Sequence, residues 1–357
     1  MKSKYFYYLI LGHIFISTIV YYPNIQSKNI YNGFILAIVL GYFIAMWNSY
    51  CLIETYNIFN QKDLIYITNQ LFKKTFGKIV VFLFVMISAI TGLFMHMPLI
   101  KIVQSNMMPE TSATYIAMFA LLIYIVALKN KEKSILYPLG FFSIFCGIGF
   151  LIIFSIITKG VDTRFIIGSI THSFRLPYIS MIASTTYFFN GIETLAVYNV
   201  ALGKKSFKTA YLIYGLIGIP LSFIPILIPI GAWGPYAVKD LVFPVLATSD
   251  TVALDLFLVE RVLFVFLPIS VCIQILGAVS YFYVAYKLVE KSISSKLIKK
   301  LIYIVFSLIL LLLPKFIGDF QIVGFLARIW GYIWFSIICI LCPILYIKSK
   351  KWMKALK

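Results

Sequence analysis

The sequence predicts an all-α membrane protein with ten transmembrane helices, on the basis of its composition, its apolar runs and the placement of its basic residues. Of the 357 residues, 62% are hydrophobic and 12% are charged, about half the charged fraction of an average soluble domain. A membrane-spanning helix needs roughly 20 mostly apolar residues, and such runs recur along the chain with short polar gaps. We therefore expect a polytopic helical protein, organised as a single membrane domain over residues 1–357.

Ten apolar segments are predicted to span the membrane. If the amino terminus is cytosolic and successive spans cross the membrane in alternating directions, most of the 31 Lys and Arg residues lie on the cytosolic side. Cytosolic loops of membrane proteins carry such an excess, so both termini are predicted to be cytosolic. The net charge of +19 is explained in the same way, and no nucleic-acid partner is expected. The predicted spans are 5–22, 31–52, 79–100, 112–128, 135–157, 176–200, 208–231, 257–284, 299–314 and 322–347.

Two long connections, 53–78 and 232–256, divide the chain symmetrically. Each follows the second span of a group of five, one on the inside and the other on the outside. This arrangement predicts an inverted repeat of five helices, 1–160 and 161–357, although an ordinary ten-helix bundle remains an alternative. The first loop contains residues 63–72, compatible with a helix along the membrane surface, and the second contains a short amphipathic stretch, Val238 to Thr248.

The sixth span is predicted to be interrupted at Asn190, Gly191 and Glu193. A Glu in hydrocarbon costs at least a few kcal/mol unless it faces a partner or water, and Gly lets a helix open its backbone. Ser17 and Thr18 lie at a comparable depth in span one, near the middle of a core about 30 Å thick. Interrupted helices at matching positions of inverted halves mark the binding site of many transporters.

Such a pair of breaks offers free amides to a carboxylate and free carbonyls to an ammonium group or a cation. A zwitterionic amino acid satisfies both. Thr91, Gln274 and Gly277 in spans three and eight would shape the pocket, with helix packing as an equal alternative. The predicted ligand-binding residues are Ser17, Thr18, Thr91, Asn190, Gly191, Glu193, Gln274 and Gly277.

The ionisable residues inside spans have competing interpretations. Glu193 is predicted to pair with an ammonium ligand or to line a cation path, and its alternative role is a structural hydrogen bond. His13 and His96 are interpreted as helix-packing histidines. The chain has only three His and no P-loop, HExxH or GxSxG motif, so no enzymatic activity, cofactor or metal is expected.

Several short motifs follow one another in a characteristic order. They are Pro23 at the end of span one, Gly191-Ile192-Glu193, Trp233-Gly234-Pro235, Phe243-Pro244, Glu260-Arg261, and Tyr281 with Tyr283. In these motifs, in length and in its Lys-rich end, the chain resembles the permease-like B subunits of bacterial spore germinant receptors. One departure is Ile16-Ser17-Thr18, where that family usually has a Gly-containing break.

The resemblance implies the inverted five-helix fold of the amino acid–polyamine–organocation superfamily, with interrupted helices one and six. It also implies a small germinant, expected to be an amino acid, and two protein partners: an A-type membrane subunit and a C-type lipoprotein. The expected location is the spore inner membrane or the cell membrane, in contact with membrane lipid.

Two main functions remain open from the sequence. The first is a receptor subunit that binds a germinant and passes a conformational change to its partners, opening an ion path. The second is an autonomous secondary transporter of amino acids or polyamines, and a membrane enzyme is a distant third. Sodium-coupled relatives carry adjacent hydroxyl residues in span eight and proton-coupled relatives a Lys in span five. This chain has neither, which favours the receptor.

Overall fold

The protein is described by a computed structural model over residues 3–256, 259–317 and 320–356, and most of this part is helical. Short 3-10 turns cover Thr158–Gly160, Ile192–Thr194, Asn199–Ala201 and Val238–Asp240. The α-helices are α1 (Lys4–Ser17), α2 (Tyr21–Lys28), α3 (Phe34–Ile58), α4 (Leu64–Leu71), α5 (Lys74–Asn106), α6 (Ala113–Leu128), α7 (Glu132–Ile157), α8 (Thr163–Thr171), α9 (Ile179–Phe189), α10 (Leu195–Tyr198), α11 (Phe207–Ile213), α12 (Ile219–Ala237), α13 (Pro244–Thr251), α14 (Val262–Ser292), α15 (Lys296–Phe316) and α16 (Phe320–Ala355).

Seven helical segments of the described chain are long and apolar enough to cross a membrane. The pair α1 and α2, bent by 49° at a short break, makes up to eight. Two shorter apolar helices, α6 and α9, fall on the fourth and sixth predicted spans. The prediction of a helical membrane protein is thereby confirmed, and the count of ten spans stays a prediction. The seven segments are Phe34–Ile58, Lys74–Asn106, Glu132–Gly160, Phe207–Asp240, Val262–Ser292, Lys296–Phe316 and Gln321–Ala355.

A short β-hairpin departs from the all-α prediction. Strands β1 (Ala253–Leu256) and β2 (Val259–Arg261) pair antiparallel just before α14. Polar residues interrupt the apolar run in this stretch, which explains why α14 begins at Val262 rather than at the predicted 257. Residues 257–258 and the Glu260 side chain lie outside the described part of the chain. Arg261 pairs with Asp250 of α13 at 2.9 Å, so the hairpin is fastened to that helix.

The helix pairs in the centre approach closely at small residues. Helices α5 and α14 form the most extensive pair among the described helices, and α3 packs along α9. A Cβ on Gly92 would lie 2.4 Å from the Phe282 ring, and one on Gly41 would lie 2.5 Å from Thr185. Glycines at such contacts let membrane helices pack by van der Waals attraction. Helix α1 contacts both α9 and α14, which places the break after α1 in the interior.

Both long predicted loops contain a helix. In the first loop, α4 begins after Asp63, whose carboxylate accepts a hydrogen bond from the Tyr66 amide at 3.0 Å, the usual N-cap arrangement. In the second, α13 starts at Pro244, and the Trp233 indole donates to Thr248 at 3.2 Å. Gly234 between them has φ +78, a conformation that favours glycine. The WGP motif thus turns the chain back onto α13.

The seventh predicted span is irregular at its start. Residues Tyr214–Gly218 form a π-helical turn between α11 and α12, immediately before Pro220. A π turn contains one more residue than an α-helical turn. This irregularity lies beside Pro220, the first proline of the span. Pro225 and Pro229 remain inside α12.

One end of the sixth predicted span is fastened by a buried lysine. The Lys205 ammonium donates to the Asn199 side-chain oxygen at 2.6 Å and to the Gly203 carbonyl at 3.2 Å. The Asn199 amide in turn donates to the carbonyls of Phe59 and Lys62. Lys205 is only 4% exposed, and this burial lowers the pKa of its ammonium to about 8.

We expect this lysine to give the protein a characteristic pH dependence. Between about pH 8 and 10.5, the folded chain has released the Lys205 proton while the unfolded chain still holds it, so stability rises with pH across this window. The Lys205→Met variant should lack this rise. Thermal unfolding of the detergent-purified protein across this window measures it.

The exposed neighbour Lys204 provides the control, because Lys204→Met should keep the pH slope of the natural chain. Equal slopes for Lys205→Met and the natural chain would contradict the assignment of the slope to Lys205.

Candidate functional site

The chain between α9 and α10 opens at two residues. Helix α9 ends at Phe189, Asn190 is non-helical, and Gly191 has φ +108. A 3-10 turn over Ile192–Thr194 then leads into α10. Only glycine adopts this φ without strain, and a Cβ on Gly191 would lie 2.6 Å from Cγ of His13. Both the backbone angle and the close approach of α1 therefore require glycine here.

The Glu193 carboxylate caps this opening from within. It is fully buried, and its Oε2 accepts the Gly191 amide hydrogen at 3.0 Å. Its Oε1 accepts the Tyr281 hydroxyl hydrogen at 3.0 Å. A carboxylate at the start of a helical segment satisfies a free amide and interacts favourably with the helix dipole. Tyr281 lies on α14, so Glu193 links the opening to α14 within the second predicted half of the chain.

His13 on α1 extends this network to a third helix. Its Nε2 lies 2.8 Å from the Tyr187 carbonyl oxygen, and its Nδ1 lies 3.0 Å from the Tyr281 hydroxyl oxygen. His13 is hydrogen-bonded at both ring nitrogens, as a helix-packing histidine would be. It also belongs to the opening in the chain, which the sequence interpretation did not anticipate.

The hydrogen bonds of His13, Tyr281 and Glu193 fix how many protons the three side chains share. The Tyr187 carbonyl only accepts, so His13 Nε2 carries a hydrogen. The contacts from Tyr281 to His13 Nδ1 and to Glu193 Oε1 need one hydrogen each, and the Tyr281 hydroxyl supplies one. The second sits on Nδ1 or on Oε1. Either way the trio holds one more proton than a neutral imidazole and a carboxylate provide, and it has no net charge.

This trio can move a proton without moving a helix. Transfer from Glu193 to Tyr281 and from Tyr281 to His13 converts one arrangement into the other. No Lys or Arg of the described chain forms an ion pair with Glu193. Two aromatic side chains pack beside the trio: the Tyr187 ring lies 5.0 Å from the His13 ring and 5.1 Å from the Trp334 ring.

The break between α1 and α2 forms without glycine. Helix α1 ends at Ser17, and the Thr18 hydroxyl donates to the Phe15 carbonyl at 2.6 Å. Val20 leaves the helical region with φ −110 and ψ −89. A threonine hydroxyl bonded to its own helix can replace part of the backbone ladder. The bend of 49° between α1 and α2 is thus supported by Thr18.

A small cavity of about 20 Å³ lies beside this break. Three of its residues carry buried polar atoms with no hydrogen-bond partner among the described residues: the Ser17 hydroxyl, the Tyr21 hydroxyl and both ends of the Gln274 amide. Each unpartnered polar group costs about 1–3 kcal/mol, so a polar molecule in this cavity would be stabilised. The lining residues are Ile16, Ser17, Val20, Tyr21, Tyr22, Phe94, Met95, Tyr187 and Gln274.

Three further predicted site residues, Thr91, Asn190 and Gly277, do not line this cavity. Thr91 on α5 and Asn190 at the opening are buried, and their side-chain polar atoms also have no partner among the described residues. Gly277 is a packing contact, because a Cβ there would lie 2.6 Å from Ile16. The structure therefore joins Ser17 and Gln274 at one cavity and Gly191 and Glu193 at the neighbouring network.

A larger vestibule of about 420 Å³ adjoins the small cavity and shares Val20 and Tyr21 with it. Three cationic side chains line the vestibule, against one carboxylate. Such an excess of positive charge attracts anionic groups. Its lining residues are Val20, Tyr21, Asn24, Lys28, Lys239, Asp240, Val242, Phe243, Gln321, Gly324 and Arg328.

Sequence reasoning missed two members of the site, His13 and Tyr281. One signal was present: an ionisable residue inside a membrane span is a functional candidate by default, and His13 precedes Ser17 by one helical turn. Tyr281 was named only with Tyr283 as a motif of the family resemblance, and nothing in the sequence gave it a role in the site.

Polar openings buried among apolar helices place the protein in a permease-like class. A family model described as spore germination protein, Spore_permease, matches residues 1–317, and the chain belongs to this family of spore germination permeases. It is a family of transporters and receptors rather than enzymes. Comparison with curated proteins gave no match.

We expect Gly191→Ala to destabilise the protein. Alanine at φ +108 is strained by about 1–3 kcal/mol, and its Cβ would collide with His13. Thermal unfolding in detergent measures the loss. Gly168→Ala on α8 is the control, because a Cβ there meets nothing within 4 Å, and equal unfolding temperatures for the two variants would contradict the strain at Gly191.

Tyr281→Phe should also destabilise the protein, because Glu193 and His13 both lose their shared partner. We expect a cost of about 1–3 kcal/mol for the polar atoms left without one. Tyr283→Phe, two residues along the same helix, removes a hydroxyl that makes a single bond to the Asn130 carbonyl. Denaturant unfolding of both variants should show the larger loss for Tyr281→Phe; the reverse order would refute the bridging role.

Proposed function

We propose that this protein is the permease-like subunit of a germinant receptor, and that it binds a small nutrient, an amino acid, between the openings at Ser17-Thr18 and Asn190-Gly191. The observation that carries the proposal is the cavity beside the α1–α2 break, where Ser17, Tyr21 and Gln274 have polar atoms without a partner among the described residues. In this proposal ten spans form an inverted repeat of 1–160 and 161–357, with both termini in the cytosol.

In this proposal the two charged ends of the ligand are bound in two different regions of the site. The Gly191 amide is already bonded to Glu193. The ligand carboxylate would therefore be bound by other donors: the Ser17 and Tyr21 hydroxyls and the Gln274 amide. The ligand ammonium group would be bound by Glu193 or by freed carbonyls. Thr18, Thr91 and Asn190 complete the polar surroundings, and Gly277 gives the site its close wall.

Ligand binding requires the small cavity to enlarge. A volume of about 20 Å³ holds one water, whereas an amino acid is several times larger. The vestibule lies on the other side of Val20 and Tyr21, and its positive charge favours a carboxylate. We propose that movement of this pair joins the two spaces, and that the same movement at the α1–α2 bend is what the receptor transmits.

The proposed partners are an A-type membrane subunit and a C-type lipoprotein, in the spore inner membrane. A ligand shifts a conformational equilibrium only through its different affinity for the two states. Enlargement of the cavity supplies that difference, and the partners would convert it into the opening of an ion path and the start of germination.

An autonomous transporter of amino acids or polyamines is the second candidate, and the His13–Tyr281–Glu193 trio favours it. A buried trio that holds and relays one proton is a device for coupling transport to protons. The sequence offered no such device in span five or span eight.

Uptake and binding measurements separate the two functions. The purified subunit in liposomes is tested with radiolabelled amino acids and an imposed pH gradient, and the complex with its partners is tested for binding of the same amino acids. Binding without accumulation supports the receptor. Accumulation against a concentration gradient by the subunit alone would overturn it in favour of the transporter.

Glu193→Gln tests the proton at the site without breaking the network. The Gln amide can donate to Tyr281 and accept from Gly191, so it imitates a protonated Glu193. We expect normal folding and insertion but loss of the germination response of spores to amino acids. Glu54→Gln is the control, because Glu54 pairs only loosely with Lys350, at 3.9 Å. A normal response of the Glu193→Gln variant would exclude an essential charge or proton at this position.

A further inference from the structure

A crevice that shares no lining residue with the small cavity lies between α5, α6, α14 and α15. Its volume is about 310 Å³, within the roughly 300–1,000 Å³ of small-molecule sites. Its walls are almost entirely apolar, with one basic residue. The lining residues are Val85, Ala89, Leu121, Tyr124, Ile125, Leu128, Lys129, Phe282, Ala285, Tyr286, Val289, Ile302, Tyr303, Phe306, Ser307 and Leu310.

Helix α15 covers this crevice, and most of its own residues are exposed. Only Leu310 and Pro314 are buried in α15. Near its far end, His96 of α5 bonds to the Leu310 carbonyl at 3.0 Å and to Tyr124 of α6 at 3.1 Å. Towards the other end, the Tyr303 ring packs on an α14 tyrosine with ring centroids 5.0 Å apart. The crevice lies between these contacts, and a flexible apolar chain in it would add dispersion contacts with its apolar walls.

The open end of the crevice is basic. A second space of about 540 Å³ continues from it along α15 and shares Ile125, Tyr303 and Ser307. This space is lined by Lys296, Lys299 and Lys300, and Lys129 lines the crevice itself. None of these four is in a described ion pair. The Tyr303 hydroxyl is buried there without a partner among the described residues.

One carboxylate near this end is already paired, because Glu290 of α14 lies 2.8 Å from Lys287. The other, Glu132, follows Lys129 by three residues. The four lysines therefore present an excess of positive charge beside an apolar slot. A ligand that matches both features has a long apolar chain and an anionic head.

We propose that this crevice is a binding site for one anionic phospholipid, with an acyl chain under α15 and the phosphate group among Lys129, Lys299 and Lys300. Basic pockets between membrane helices bind anionic head groups in this way. The charge complementarity favours a lipid over a helix of a partner subunit, whose apolar face would leave the four lysines without counter-charges.

Native mass spectrometry of the delipidated full-length protein tests the site. Dioleoyl-phosphatidylglycerol is compared with dioleoyl-phosphatidylethanolamine, which has the same chains and no net charge. We expect one phosphatidylglycerol to bind tighter by about tenfold or more, given the attraction of each Lys near a lipid surface. The triple variant Lys129→Gln, Lys299→Gln, Lys300→Gln should lose this preference. Ser307→Phe, which fills the slot, should lose tight binding of both lipids.

A matched triple variant shows whether the site or the overall charge is responsible. Lys73→Gln, Lys74→Gln and Lys78→Gln remove three exposed lysines at the start of α5, so the preference for phosphatidylglycerol should survive. If both triple variants lost the preference for phosphatidylglycerol equally, the preference would come from the overall charge of the protein, and the proposed site would be wrong. Equal affinity for the two lipids would overturn it as well, and so would a partner helix cross-linked in the crevice in place of lipid.

Discussion

The rest of the site depends on one constraint: a carboxylate, Glu193, is fully buried within an apolar stretch of the chain. A carboxylate there is costly unless it is paired and hydrogen-bonded, and the surrounding chain supplies what it needs. The opening at Gly191 provides an amide, Tyr281 a hydroxyl, and His13 a second proton-binding group. Gly191 must be glycine because His13 occupies the space of its Cβ. Removal of the Tyr281 hydroxyl leaves Glu193 and His13 without their shared partner.

This network also sets what a ligand can do. A receptor or transporter must bind its ligand differently in two conformations, and polar groups that lack partners in one conformation supply that difference. Ser17, Gln274 and Asn190 are such groups here. The trio ties α1, α9 and α14 together, whereas the α1–α2 bend breaks the helical backbone at Val20, beside the Thr18 hydroxyl bond. The mobile element is therefore expected at Val20 and Tyr21, between the small cavity and the vestibule.

Much of this arrangement follows from local sequence. Apolar runs located the helices, and Asn190, Gly191 and Glu193 located the opening. Other features could not be predicted. They depend on the rotation of each helix about its own axis, and a helix that is apolar on all sides gives no sequence signal for that rotation. His13 and Tyr281 are 268 positions apart, and no periodicity indicates that they meet. The hairpin before α14 was missed because the predicted eighth span was started at 257, across the polar Glu260 and Arg261, and the basic crevice combines residues from four helices. The departure at Ser17-Thr18 was compatible with a break, since a hydroxyl can stand in for glycine.

The proton shared by His13, Tyr281 and Glu193 requires a hydrogen on Nε2 of His13, and nitrogen-15 NMR of the histidine-labelled protein in lipid bilayers tests this central requirement most directly. The chain has only three histidines, so His13→Asn identifies the signal. We predict that Nε2 of His13 carries a hydrogen, and that Tyr281→Phe changes the Nδ1 signal and leaves Nε2 protonated. A His13 ring with hydrogen on Nδ1 and none on Nε2 would contradict the account, because the bond to the Tyr187 carbonyl would then lack its donor.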